Sequence, residues 1–309
     1  MIDELRQSHK LIKILKVAGL SKSTYEYYKS RKHLNSIQNK AIKEDKILSI
    51  VIPIFTHHKK RYGSRRVILA AKDKLQGINH KSIERIMSEN NLKAIQGNNG
   101  KYHSYKGDNG EAKTNLLLSK ETVNNKEKLV RHFETTKPNQ IWTTDVSEFK
   151  YPGGKLYLSP IFDMYDQSII SYDISTSPDF TQTKRMIDIA FNKYQNLEGL
   201  IFHSDQGWQY QHKTYQKWLK DKGIKQSFSR KGNCMDNSPM ENFFGIMKNE
   251  MYYGNIYNSK EELLTAMKEY IEYYNNETTR VEQVEKPYRR YRPRQFLESK
   301  EGKHLQPFP

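Results

Sequence analysis

The chain has 309 residues, a formal net charge of +17 and a mean hydropathy of −0.90. That length is more than one ordinary small domain holds, and the charge calls for a polyanionic partner, nucleic acid ahead of membrane. The single cysteine, Cys234, excludes an intrachain disulfide and a thiolate zinc site, and the longest apolar stretch, Ile47 to Phe55, falls far short of the roughly 20 residues that span a bilayer.

The charge is unevenly placed. Residues 1–130 carry 27 Lys and Arg against 12 Asp and Glu, and residues 131–309 carry 25 against 23. A basic arm on a near-neutral body separates DNA grip from chemistry.

In chain order, Leu11, Ile12, Leu15 and Leu20 fall near helical spacing, Gly19 breaks the pattern, and Ser21 or Ser23 can cap a second helix, so residues 1–40 read as a helical hairpin. Residues 41–95 repeat the theme: a helix over Glu44–Phe55, the basic run His57 to Arg66, a helix near Arg65–Lys74, a turn at Gly77, and a last helix capped by Asn79 with Ile83, Ile86 and Met87 on one face. Helix, Gly-containing turn and capped basic helix is the helix-turn-helix pattern, with Arg65, Arg66, Lys81 and Arg85 as the expected DNA contacts. Residues 96–130 are polar and Gly-containing and read as a linker.

From residue 131 to 280 the texture is that of an α/β body. Ile141–Tyr151, Lys155–Phe162 and Ser168–Ile174 are strand-like, Thr181–Tyr194 is helical, and Leu200–Asp205 is an apolar run suited to a strand buried on both faces. A helix near Lys213–Lys222, a strand at Ile224–Ser229 and helices over Pro239–Tyr252 and Lys260–Asn275 complete it. Residues 281–309 form a basic tail in which KPYRRYRPRQF interleaves Arg with Tyr, suited either to phosphates and bases or to a solvated, poorly ordered terminus.

Three acids stand out. Asp205 ends a strand, where α/β sheets gather functional groups. Glu241 opens a helix 35 intervening residues later, and Asp145 lies 60 positions upstream of Asp205. A charge inside the strand-like run IWTTDVSEF is costly unless paired or metal-bound. Asp163, Asp166, Asp173 and Asp179 compete by position. Ser238-Pro239-Met240-Glu241 also fits a capping box, which would make Glu241 a structural residue. Lys248, two helical turns beyond Glu241, would share its face and meet phosphate. His203 and Trp142 read as packing residues, and Asp236 and Asn237 as shapers of the loop before the helix.

These motifs together resemble the catalytic core of DDE transposases and retroviral-type integrases, and most closely the second-frame product of the insertion-sequence-3 family. Trp142 and Asp145 carry the resemblance, with His203, Ser204, Asp205, Gly207 and Tyr210, then Ser229, Gly232, Asp236, Asn237, Glu241, Phe243, Phe244, Lys248 and Glu250, and finally Tyr273, Tyr274 and Asn275. The tail beyond Asn275 is longer and more basic than the family pattern. The resemblance implies an RNase H-like core, a mixed five-stranded sheet with flanking helices, preceded by an all-α helix-turn-helix region.

It further implies that Asp145, Asp205 and Glu241 are catalytic and bind two Mg²⁺ (or Mn²⁺) ions. The expected reaction is cleavage at the ends of a mobile element in double-stranded DNA and joining of the 3′ ends to target DNA. An upstream-frame protein and a homo-oligomer on DNA are the implied partners, with no membrane partner, in the bacterial cytoplasm at the nucleoid. The alternatives are an RNase H-like nuclease without strand transfer and a catalytically silent DNA-binding regulator.

Overall fold

In the computed structural model, described over residues 2–95, 114–123, 126–278, 280–282 and 290–292, helical apolar spacing and strand-like runs separate into two compact units, Met1–Ala94 and Ile95–Pro309. The first unit is all-helical: α1 (Ile2–Leu5), α2 (Leu11–Val17), α3 (Lys22–Lys29), α4 (Arg31–His57), α5 (Ser64–Ala70) and α6 (His80–Glu89). Short polar side chains start three of these by accepting otherwise unpaired amides: Ser21 from Thr24, Ser30 from His33 and Asn79 from Lys81. The four-residue spacing of Ile47, Val51 and Phe55 puts them on one buried stripe of α4, in a core with Tyr62, Val67, Ile83, Ile86 and Met87. The division expected between residues 40 and 41 falls inside α4, which runs unbroken through 27 residues.

The second unit begins where a linker was expected. Residues 96–113 lie outside the described residues, but β1 (Leu118–Val123) and β2 (Lys126–Arg131) form an antiparallel hairpin. Its strands are mostly polar in sequence, which is why hydropathy alone reads it as linker. Its root is held by the body: Phe228 N–H donates to the Thr114 carbonyl, and Leu116 N–H to Ser227 Oγ.

The body contains β3 (Ile141–Thr144), β4 (Ser147–Tyr151), β5 (Gly154–Asp163), β6 (Ile169–Ser175), α7 (Phe180–Lys193), β7 (Ile201–Ser204), α8 (Trp208–Gln211), α9 (Lys213–Asp221), β8 (Lys225–Phe228), α10 (Ser238–Met247) and α11 (Lys260–Asn276). β3 and β4 share one register opposite β5, so the sheet is five positions wide: β6, β5, β3 with β4, β7, β8. β3, β7 and β8 run parallel and the outer pairings are antiparallel. The run expected as one strand over Ile141–Tyr151 is therefore interrupted at Asp145 and Val146.

Side chains alternate across the sheet and so define two cores. Trp142, Ile161 and Phe202 face α7 and α9, where Met186, Ile187, Tyr215 and Leu219 close the layer. Phe149, Leu156, Leu158 and Phe162 face α10 and α11, where Met240, Phe243, Met247, Leu263, Met267 and Tyr274 do the same. The result is an α/β/α sandwich of the RNase H-like kind. β9 (Arg280–Glu282) pairs β10 (Arg290–Arg292), and the rest of the expected basic tail lies outside the described residues. Among the described residues no helix is long and apolar enough to cross a membrane.

Candidate active site

Asp145 directly follows β3 and Asp205 directly follows β7. Ile141 pairs with Ile201, Trp142 with Phe202 and Thr143 with His203, so continuing the parallel register sets Asp145 level with Asp205 on the adjacent strand. Paired positions share a face; theirs is the α10 face, since Thr143 is paired with Phe162 of that core. Asp145 Oδ1 accepts the Val146 N–H at 2.7 Å, and Asp205 Oδ1 accepts the Gly207 N–H at 2.9 Å. At Gly207 an added Cβ would meet the Gln209 side-chain amide at 2.8 Å and that same Asp205 oxygen at 3.0 Å, so the turn closes tightly on the carboxylate.

Glu241 lies in the first turn of α10. Ser238 is already helical (φ −55°, ψ −29°) and so is not the cap that a capping box requires; Asn237 holds that position and makes no side-chain cap bond. Ser238 is therefore not the capping serine of that reading. The Asn237 amide instead reaches the strand: Oδ1 accepts from Thr143 Oγ1 and Nδ2 donates to the Thr144 carbonyl, both at 3.2 Å. Beside it, the fully buried Asp236 carboxylate accepts from Arg230 Nε and Arg131 Nε, each at 2.8 Å. Burial alone would raise its pKa, but these partners hold it down at about 2.

Asp145 senses both other acids. Burial pushes the Asp145 carboxyl up to about 7; the charge of Asp205 and then of Glu241 adds to the rise, while the Val146 N–H bond and the Lys248 ammonium oppose it. Burial also raises Asp205, against its bond from Gly207. Lys248 is pulled down by burial and up by Asp145 and Glu148, with its Nζ 5.2 Å from the centre of the Phe149 ring. Its backbone is not simply the next turn of α10, because the helix widens to a π-turn over Lys248–Tyr252. Two raised acids, a third within electrostatic reach and one cation is an arrangement that a hard divalent cation would relieve.

The competing acids have structural tasks. Asp163 accepts the amides of Asn139 and Tyr165, Asp166 that of Ser168 and Asp179 that of Gln182 at the start of α7. Asp173 holds Arg185 by two bonds. His203 is fully buried between Ser227 Oγ and Ser229 Oγ, and burial lowers its pKa to about 4, so it packs as a neutral ring. Trp142 packs in the α7 core. Tyr210 is a buried neighbour that sequence reading left unassigned: its hydroxyl lies 3.4 Å from Thr144 Oγ1 and its pKa is raised by burial and then by Asp205 and Asp145.

In the helical unit Arg65 and Lys81 are exposed at the starts of α5 and α6, and Arg66 lies over the Tyr62 ring at 5.3 Å. Arg85 is engaged with Glu44 and Glu89, both at 2.6 Å, and braces α4 to α6.

Residues 135–234 and 241–296 match families described as Integrase core domain, and residues 43–99 match an HTH-like domain. Putative transposase InsK for insertion sequence element IS150 of Escherichia coli (strain K12) is 40% identical over 279 residues, covering 89% of this chain and 91% of that protein. An uncharacterized transposase-like protein of Haemophilus influenzae is 46% identical over 200 residues, 65% of this chain and 86% of its own length. Transposase InsF for insertion sequence IS3A of Escherichia coli (strain K12) is 27% identical over 224 residues, 72% of this chain and 74% of that protein.

Proposed function

The chain belongs to the insertion-sequence-3 family of DDE transposases, and from that premise we propose that Asp145, Asp205 and Glu241 are the carboxylates that carry its chemistry. It is a polynucleotidyl transferase acting on DNA. The observation that supports this assignment is that Asp145, after β3, stands level with Asp205, after β7, and feels the charge of both Asp205 and Glu241 of α10.

By its chemistry the donor set suits a hard divalent cation, and the three carboxylates would have to draw closer than they stand, since their oxygens do not all lie within 4.8 Å of one another. The set offers carboxylate oxygens only, and the nearby His203 has both nitrogens engaged by serines. Two Mg²⁺ or Mn²⁺ ions would be held by Asp145, Asp205 and Glu241. Such ions, when bound, activate an attacking oxygen and offset the charge of a leaving one in phosphoryl transfer. The chain's own residues supply the rest. Asp145 and Asp205, level on adjacent strands, fix the ligand oxygens on a rigid edge. The Lys248 ammonium, beside Asp145, meets the phosphate of the scissile strand. Arg65, Arg66 and Lys81 grip the duplex backbone from the helical unit, with Arg85 setting the geometry of α6. Work on both element ends calls for a second copy of the chain, with an upstream-frame product aiding end recognition at the bacterial nucleoid.

Glu241→Gln tests the assignment with the full chain and duplexes carrying the element's ends. The variant is expected to fold and bind DNA as wild type does while cleaving and joining nothing in Mg²⁺. Retained cleavage would overturn the three-carboxylate reading. Covalent joining of the 3′ ends to a second duplex by the wild type separates the transposase from a nuclease of the same fold.

A further inference from the structure

We infer that Asn237 is a positioning residue that fixes the helix bearing Glu241 against the strand bearing Asp145; the inference rests on the carboxylate assignment above. Asparagine at a helix start ordinarily turns its side chain onto the helix's own free amides. Here the side chain makes no such bond and is buried against the neighbouring strand. Its amide accepts from Thr143 Oγ1 and donates to the carbonyl of Thr144, the residue immediately before Asp145. The first residue of α10, Ser238, follows directly. One side chain thus bridges the backbone entering Asp145 and the backbone entering the turn that holds Glu241.

The chemistry explains why an amide stands there. Three clustered carboxylates repel, so elements carrying them need a tie that adds no charge. An amide supplies one acceptor and one donor; a carboxylate would lose the donor to Thr144 and add a fourth negative charge. Asp236 holds the other side of the same loop. It is fully buried, and besides its two arginines it accepts from the Arg230 N–H at 3.1 Å and from Asn115 Nδ2 at 3.3 Å. Asn237 therefore sits on a fixed base, and its amide transmits that position to both acids.

The test measures Mn²⁺ affinity of the full-length protein by electron paramagnetic resonance, with the metal alone, alongside kcat and KM for cleavage of an element-end duplex. Asn237→Ala is expected to weaken Mn²⁺ binding by about tenfold or more and to lower kcat by a similar factor, with KM for DNA within about twofold of wild type. Asn237→Asp is expected to lose at least as much. Thr143→Val, which removes one of the two bonds in nearly the same volume, is expected to lose about threefold and serves as the deciding variant if Asn237→Ala does not fold. Wild-type Mn²⁺ affinity and kcat in Asn237→Ala, or in Thr143→Val where the first variant is unfolded, would overturn the inference, as would a loss confined to KM. If Glu241→Gln is inactive while Asn237→Ala matches wild type, only the bridge is wrong; if Glu241→Gln cleaves, the underlying assignment fails.

Discussion

Pro160 stands opposite Asp145. Thr144 pairs with Ile161 and Ser147 with Leu158, so the same register places Pro160 across from Asp145. Met164 N–H donates to the Ile141 carbonyl at 3.0 Å, and bonded pairs alternate in an antiparallel ladder, so the Asp145–Pro160 pair is one in which the β5 residue should donate. Proline has no N–H to give. The strand is interrupted there, and the interruption frees Asp145 from the regular ladder at the sheet edge.

Restoring the donor should close that gap. Pro160→Ala is expected to add a slowly exchanging amide at position 160, measurable by hydrogen exchange, and to lower the cleavage rate by about tenfold as Asp145 is drawn into the ladder. An unprotected amide with unchanged cleavage would show that the break has another cause.

The raised pKa of Asp145 makes metal-free stability depend on pH with a definite sign. The native state binds the Asp145 proton more tightly than the unfolded state does, so between 3.8 and about 7 the site loses stability as pH rises. In the wild type His203, lowered from 6.5 to about 4, opposes the effect over an overlapping window, while Asp163 and Asp205, both raised by burial, add to it. The comparison with Asp145→Asn isolates it. The variant is expected to gain on wild type as pH rises from 4 to 7, by on the order of a few kcal/mol at most, and to stay level above that. Mg²⁺ should raise the Tm of the wild type and leave that of Asp145→Asn unchanged. Parallel pH curves for the two proteins would contradict the shift.

Asp236 is a buried anion between two half-buried arginines. Asp236→Ala leaves Arg131 and Arg230 without their acceptor, though both reach water, so a loss near the low end for a broken buried pair is expected, about 3 kcal/mol by urea unfolding. Arg131→Ala, which leaves Arg230 in place, should cost about 1 kcal/mol. Equal losses would mean that Arg131 carries the cluster.

The helical unit should show its phosphate contacts in salt dependence. Arg65→Ala and Lys81→Ala are each expected to reduce the slope of log affinity against log salt by about 0.9 for duplex DNA. Arg85→Ala should instead lower thermal stability, because its charge is spent on Glu44 and Glu89.

What could be read from the sequence follows from where each cause lies. The proposed acids Asp145, Asp205 and Glu241 each sit in their own short motif, and the juxtaposition of the two aspartates follows from a spacing of 60 residues that equals the offset of the β3–β7 register. The stripe Ile47, Val51, Phe55 and the cap at Asn79 were legible because helical periodicity and capping are local. The interruption at Asp145 was not, since its cause is a proline 15 positions away, across a pairing that sequence does not display. The β1–β2 hairpin escaped because polar exposed strands carry no hydrophobic alternation. Asn237 and Asp236 read as loop residues until Thr143, Thr144, Arg131 and Asn115, 93 to 121 positions distant in the chain, were known as partners.

Glu241 is carried by a helix whose apolar face finds much of its support late in the chain. Phe243 meets Tyr274 with ring centres 5.0 Å apart, and Met240 and Met247 share a core with Leu263 and Met267 of α11. During synthesis those α11 residues leave the ribosome after both aspartates and after Glu241 itself. A chain that stops before α11 keeps all three acids but lacks the helix against which the third is seated. Placing that support downstream makes the seating of Glu241 depend on chain that extends through Asn276.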